Sequence, residues 1–312
     1  MGIYLSRSSL RKIVETSLSR RLLPDGGFVG RLGGTFQVDS TVWGILAFRA
    51  CGGSDEILER LRALLAREQS GDGRVCVNRE HPASYWPTPL AILAWQNSPA
   101  SQVAQSRAVR FLLDTTGIHF PRKLDAPSAH DTNLKGWPWI DNTHSWVEPT
   151  ATCVMALWAT GHGQHDRVLE AVRMILDRQL PDGGWNYGST LVFGREHHPM
   201  PESTGAALTG LAGVVDQEKI ARSISYLQGE VDRLRTPISL GWGLLGLAAW
   251  DLWPSNGTAL VERCLANQSR YGDYDTSALC LLFLGALAGE TDTKPTLFSH
   301  SSRNQVPAIL TQ

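Results

Sequence analysis

A chain of 312 residues, 42% apolar and 19% charged, can fill one large repeat-built domain or two average ones. A net charge of −1 and a pI near 6.8 exclude an electrostatic case for nucleic acid or an anionic membrane surface as partner. No apolar run approaches a membrane span, and segment 1–19 carries Arg7, Arg11 and Lys12 without the apolar stretch of a signal peptide.

A cytoplasmic protein is therefore expected. The five cysteines (Cys51, Cys76, Cys153, Cys264, Cys280) are odd in number, scattered and without a CxxC pair, which reads as reduced thiols. Met1-Gly2 with Ser6 fits the short, loose myristoylation pattern, which leaves peripheral membrane contact open.

Taken in chain order, the sequence repeats itself. Leu22-Leu23-Pro24-Asp25-Gly26-Gly27-Phe28 precedes an apolar helix at 41–50 and an amphipathic one at 55–68. Gln69-Ser70-Gly71-Asp72-Gly73 precedes an apolar helix at 88–96. A degenerate copy falls around 113–119, followed by an insertion at about 120–146 and helices at 150–160 and 167–178. Gln179-Leu180-Pro181-Asp182-Gly183-Gly184-Trp185, of the form Q-x-x-D-G-x-W, precedes 204–214. A second degenerate copy around 228–232 precedes 240–250, and Gln268-Ser269-Arg270-Tyr271-Gly272-Asp273-Tyr274 precedes 276–288. The starts lie mostly about forty to fifty residues apart, the period of helix-pair repeats.

The helices before each copy are amphipathic, and those after it are apolar and nearly uncharged inside. An outer ring around an inner ring follows: an all-α (α/α)6 toroid over residues 1–290, with a polar tail at 291–312. The copies have a local rationale. Asp-Gly and Gly-Gly make the turn that ends an outer helix, the aromatic stacks on the next repeat, and Gln reaches free backbone groups at a neighbouring helix end.

These residues resemble the QW motif of squalene–hopene and oxidosqualene cyclases and the related repeats of protein prenyltransferase β-subunits. The match is close at 179–185, partial at 69–73 and 268–274, and loose at 22–28; the likeness spans roughly 10–290. It implies one (α/α)6 barrel and a small apolar, isoprenoid-type substrate. Two departures stand out. The Asp-x-Asp-Asp-Thr tetrad of class II terpene cyclases is missing, and in its nearest counterpart, Asp273-Tyr274-Asp275-Thr276, Tyr274 holds the place of the central Asp. The Asp, Cys and His set that binds zinc in prenyltransferases has no convincing counterpart. No metal or cofactor is expected.

Repetition singles out one rim. Asp39-Ser40-Thr41, Glu148-Pro149-Thr150 and Glu202-Ser203-Thr204 each place an acid two residues before a threonine at an inner-helix start, where the family's catalytic Asp sits on the threonine alignment. First-turn acids also suit the helix dipole without any chemistry. Asp275 lies at the same end. Arg195 and His197, in a loop feeding that rim, are candidate anchors for an anion, with surface salt bridging as the plain alternative. The insertion ends Gly136-Trp137-Pro138-Trp139-Ile140-Asp141-Asn142-Thr143-His144-Ser145-Trp146 and is expected to form a lid or wall of the mouth. Trp137, Trp139 and Trp146, with Trp43, Trp86 and Trp242 of the inner helices, would line a cavity where aromatic faces stabilise cations, or simply fill it.

Three functions fit this pattern. The first is acid-initiated cyclisation or isomerisation of a polyene or prenylated molecule, with Glu148 as proton donor and a neighbouring carboxylate or His144 as final base. The second is a toroid that binds a small molecule or partner protein without chemistry. The third is a polysaccharide lyase or hydrolase on an (α/α) barrel.

Overall fold

The computed structural model describes residues 7–121, 129–192 and 194–289. The tail at 291–312, the Met1-Gly2-Ser6 pattern and part of the insertion lie outside the described residues. The chain runs α1 (Arg7–Ser19), a short hairpin of β1 (Phe28–Val29) and β2 (Phe36–Gln37), α2 (Val38–Ala50), α3 (Asp55–Arg67), α4 (Pro87–Ala94) and α5 (Gln102–Asp114). It continues with α6 (Val147–Ala159), α7 (Asp166–Asp177), a second hairpin of β3 (Leu191–Val192) and β4 (Arg195–Glu196), and α8 (Pro201–Leu211). Then come α9 (Ala221–Glu230), α10 (Pro237–Ala248), α11 (Gly257–Ala266), α12 (Gln268–Tyr271) and α13 (Thr276–Leu287).

The apolar helices close a ring. Around it α2 packs on α4, α4 on α6, α6 on α8, α8 on α10, α10 on α13, and α13 back on α2. Composition explains the sorting. Every residue of α4 is buried, as is nearly all of α13. In α7, by contrast, the buried residues Val168, Leu169, Ala171, Val172, Met174 and Ile175 form one stripe, and the opposite face meets water. The inner ring is tight where glycines meet. A Cβ on Gly246 would stand 2.7 Å from the Gly205 Cα, so α8 and α10 touch backbone to backbone.

Each threonine of the alignment is a clamp. Thr41 accepts the Phe28 N–H, Thr88 that of Val75, Thr150 that of Trp137 and Thr204 that of Trp185, each at 2.9 Å. The first three pairs are all 13 residues apart. Its aromatic is fixed a second time: Trp185 Nε1 donates to the Ile175 carbonyl at 2.6 Å, and Tyr274 Oη to the Cys264 carbonyl at 2.7 Å, in both cases ten residues back on the outer helix. Gln179 Nε2 donates to Ser223 Oγ of the next outer helix at 2.7 Å, and Gln69 Nε2 to the Ala104 carbonyl at 2.9 Å. Gly73 and Gly183 hold φ of +100° and +94°, and a Cβ on either would strike the backbone of Arg107 or Arg222.

One expectation is corrected here. The third copy of the motif aromatic is Trp137, not a residue of 113–119, because the insertion falls between the outer-helix turn and that aromatic. Inner helices α2, α6 and α8 begin three residues before their threonines, so Asp39, Glu148 and Glu202 lie in the first turn.

The first and last repeats are joined directly. Thr276 donates its hydroxyl proton to the Val29 carbonyl, and its N–H reaches the Gly30 carbonyl at 2.8 Å. Arg21 Nη2 donates to the Tyr274 carbonyl at 3.1 Å. No helix among the described residues is long and apolar enough to cross a membrane, and all five cysteines are free and buried.

Candidate functional site

The first turns of the inner helices set the site. Asp39, Glu148 and Glu202 are each the second residue of their helices, all at one end of the ring. All three are half-buried, as are Trp86 and the two serines Ser239 and Ser277 at the same level. Glu148 is set deep among protein atoms yet keeps some accessible surface.

One turn deeper, Trp43 and Trp242 meet edge to face with ring centroids 5.9 Å apart. They come from α2 and α10, which are not neighbours in the ring, so the contact crosses the lumen. Trp43 is 8% and Trp242 1% exposed. Another turn down, Leu46, Leu93, Met155, Leu245 and Leu281 are buried too. The half-buried carboxylates thus stand at the rim, with the Trp43–Trp242 pair one turn below them.

Charge is handled differently at each acid. Burial pushes the Glu148 carboxyl up to about 7; hydrogen bonding from Trp242 opposes the rise, and the Glu202 charge adds to it. Burial likewise raises Asp39, against a hydrogen bond from Ser277 Oγ at 2.9 Å, and the nearby Asp275 charge raises it further. Glu202 Oε2 accepts from Ser239 Oγ at 2.9 Å. Asp275 spends one oxygen as the cap of α13, accepting the Ala278 N–H at 2.9 Å.

The remaining candidates separate into rim and core. Trp86 and Trp139 pair edge to face at 5.8 Å, both half-buried at the mouth. Trp146 is half-buried beside His144, which is exposed and lies near the Phe120 and Trp146 rings at 6.5 and 6.1 Å. Trp137 belongs to the core. It is fully buried, its Nε1 donates to the Leu112 carbonyl at 2.9 Å, and the Arg167 guanidinium covers its ring at 4.3 Å. Arg195 and His197 stand exposed on the β3–β4 hairpin, and Arg79 pairs with Glu68 at 3.2 Å. A separate surface cleft lined by Gln105, Val109, Arg110, Leu113 and His162 runs along α5, outside the ring and away from the carboxylates.

Sequence reasoning missed the serine partners of two acids. Ser239 and Ser277 each adjoin the threonine position of their own helix, so the same register that located the acids contained them. Among the described residues, no group of three or more His, Cys, Asp or Glu gathers with a metal-holding arrangement.

Ring and rim together define an α/α toroid with a carboxylate-lined mouth. Solved structures share this architecture. A protein from Actinoplanes is 15% identical with a TM-score of 0.59, over 91% of this chain and 100% of that one. The type II terpene cyclase MstE from Scytonema is 16% identical with a TM-score of 0.51, over 93% of this chain and 82% of that one. A family 76 glycoside hydrolase from a bovine Bacteroides thetaiotaomicron strain is 12% identical with a TM-score of 0.53, over 90% and 78%. At such identities the likeness is one of fold. No protein-family model matches the sequence, and no curated protein matches it.

Proposed function

We propose that this toroid is an enzyme of the class II terpene cyclase type, which cyclises or isomerises a small polyene or prenylated molecule at the carboxylate rim. The observation that carries the reading is Glu148: a half-buried carboxyl in the first turn of an inner helix, which burial pushes up to about 7, one turn above the Trp43–Trp242 pair. Its O–H proton would add to a terminal alkene carbon or an epoxide oxygen. The π electrons of the next double bond close the ring on the resulting cation, whose charge the Trp43 and Trp242 faces temper. A neighbouring C–H then gives its proton to a carboxylate, Glu202 or Asp39, so the net change is an isomerisation that consumes nothing. The fold shared with a type II terpene cyclase is consistent with this chemistry.

The substrate is taken to be small and apolar. Ile118, Phe120, Ile140 and Ile238, exposed on the insertion and at the α10 start, suit its approach. Arg195 and His197 are the anchors if it carries a diphosphate.

One observation favours a second reading. Glu148 and Glu202 lie near enough for the charge of one to act on the other, and paired carboxylates serve acid–base work on sugars. The glycoside hydrolase shares the fold as well.

The test is incubation with panels of prenyl alcohols, prenyl diphosphates, epoxides and oligosaccharides, with products read by mass spectrometry. Cyclised or rearranged prenyl products, lost in Glu148→Gln, are expected. Shortened oligosaccharides would replace the first reading with the second. No product from any panel would leave a binding toroid.

A further inference from the structure

We infer that the cleft along α5 is a second binding site, separate from the carboxylate rim, which takes a phosphate ester of a small polyol. The site is independent of the cyclase reading.

The cleft holds about 560 Å³, within the range of about 300–1,000 Å³ that small-molecule sites occupy. One wall is a single face of α5, on which Gln105, Val109 and Leu113 recur at helical spacing. The other wall is the turn from α6 to α7, which contributes Thr160, His162 and His165. That turn follows the C-terminal end of α6, whereas Glu148 lies in the first turn of the same helix. From Glu148 to Thr160 the helix rises about 18 Å, so cleft and rim are at opposite ends of the ring wall.

Hydrogen bonds inside the protein decide what each histidine offers. His165 Nδ1 accepts the Arg167 N–H at 3.2 Å as the cap of α7, so its neutral ring carries the proton on Nε2. Thr160 gives its one hydroxyl proton to the Ala156 and Leu157 carbonyls, at 2.9 and 3.2 Å. Toward His162 Nδ1, 3.3 Å away, the same oxygen can only accept, which leaves His162 Nε2 bare. The two rings are therefore opposite tautomers, one a donor and the other an acceptor. Gln105 is polarised as well: its Nε2 donates to the Ile92 carbonyl at 2.9 Å, and its Oε1 is left over. Arg110, exposed on the same helix, has a guanidinium without hydrogen bond or ion pair among the described residues.

These groups sort by the ligand they suit. The Arg110 fork matches paired anionic oxygens, and a phosphate has oxygens for His165 Nε2 at the same time. His162 Nε2, Gln105 Oε1 and the Asp114 carboxylate are acceptors, which hydroxyl protons satisfy. Val109 and Leu113 lie under the C–H face of a small ring. A bare anion would leave the acceptors unmatched, and an apolar ligand would strand every polar group. A phosphate ester with free hydroxyls matches all three kinds of surface.

The experiment is calorimetric titration of the full-length protein with ribose phosphate, esterified at its primary hydroxyl, and with adenosine monophosphate, ribose and inorganic phosphate. Ribose phosphate is expected to bind with a Kd of about 1 mM. Ribose and inorganic phosphate should each bind about tenfold more weakly or not at all. Arg110→Ala should weaken the ester about tenfold or more. Ser106→Trp, at an exposed cleft position whose hydroxyl has no partner among the described residues, should block it by bulk. Glu148→Gln should leave the Kd unchanged, so the fate of this site and that of the cyclase reading are told apart. Tighter binding of adenosine monophosphate, lost in the same variants, would make the ester a nucleotide; tighter binding of ribose phosphate would make it a sugar phosphate. No heat from either ester at about ten times the expected Kd overturns the proposal. So does ester binding that survives both Arg110→Ala and Ser106→Trp in proteins folded by circular dichroism. Inorganic phosphate binding as tightly as the esters overturns the polyol and leaves an anion contact only.

Discussion

The Thr204 hydroxyl accepts the Trp185 N–H at 2.9 Å and gives its own proton to the Trp185 carbonyl at 3.2 Å. One side chain at an inner-helix start therefore closes both backbone groups of the motif aromatic, in a place where neither meets water. Thr204→Val keeps the shape and removes both bonds. It should destabilise the fold by about 1–3 kcal/mol, whereas Thr204→Ser should cost less. Urea unfolding at equilibrium measures both, and equal losses in the two variants would assign the effect to packing instead.

Trp137, expected in the sequence to line the cavity, should behave as core. Trp137→Phe strands the Leu112 carbonyl and loses part of the Arg167 stack, at a cost of about 1–3 kcal/mol. Thermal unfolding should register that loss, while affinity for any prenyl ligand stays at the parent value when measured well below the transition. Weakened binding in a stable Trp137→Phe protein would return this residue to the site.

Gly246→Ala tests the tightness of the inner ring. The added methyl would lie 2.7 Å from the Gly205 Cα and 2.8 Å from its carbonyl oxygen, backbone atoms that cannot turn aside. The α8–α10 crossing must widen, at about 1–3 kcal/mol. Gly52→Ala, at a position with open space but a φ of +84°, separates crowding from backbone strain. A Gly246→Ala protein as stable as the parent would mean the helices have room to part.

The Glu148 carboxyl, raised by burial from 4.5 to about 7, makes stability depend on pH. Folding favours its protonated form, so its contribution is full below the unfolded value and fades as pH climbs through the folded one. Between about pH 5 and pH 8 the parent should lose roughly 3 kcal/mol relative to Glu148→Gln. Urea midpoints of both proteins across that range give the difference, and parallel curves would deny the raised carboxyl.

The helix-pair order was legible because period, turn chemistry and alternating apolar content all spoke for it. Thr41, Thr88, Thr150 and Thr204 also fixed the register in which the rim acids were found, although their clamp role needed the structure. Trp137 was misplaced because an insertion broke the spacing from outer-helix turn to aromatic, and local pattern alone does not tell a core indole from a pocket one. The Trp43–Trp242 contact was hidden for a different reason. It joins helices that are neighbours in neither sequence nor ring, and no periodicity encodes a meeting across a lumen.

The junction of first and last repeats has a consequence for the rim itself. Ser277 reaches Asp39 across 238 residues of chain, and Thr276 reaches Val29 across 247. An open stack of repeats needs polar caps at its two ends; here each end caps the other. Closure over so long a loop carries the largest ordering cost in the ring. Asp39 thus receives its serine only in a finished circle, and a toroid that has not yet joined its ends has an incomplete mouth.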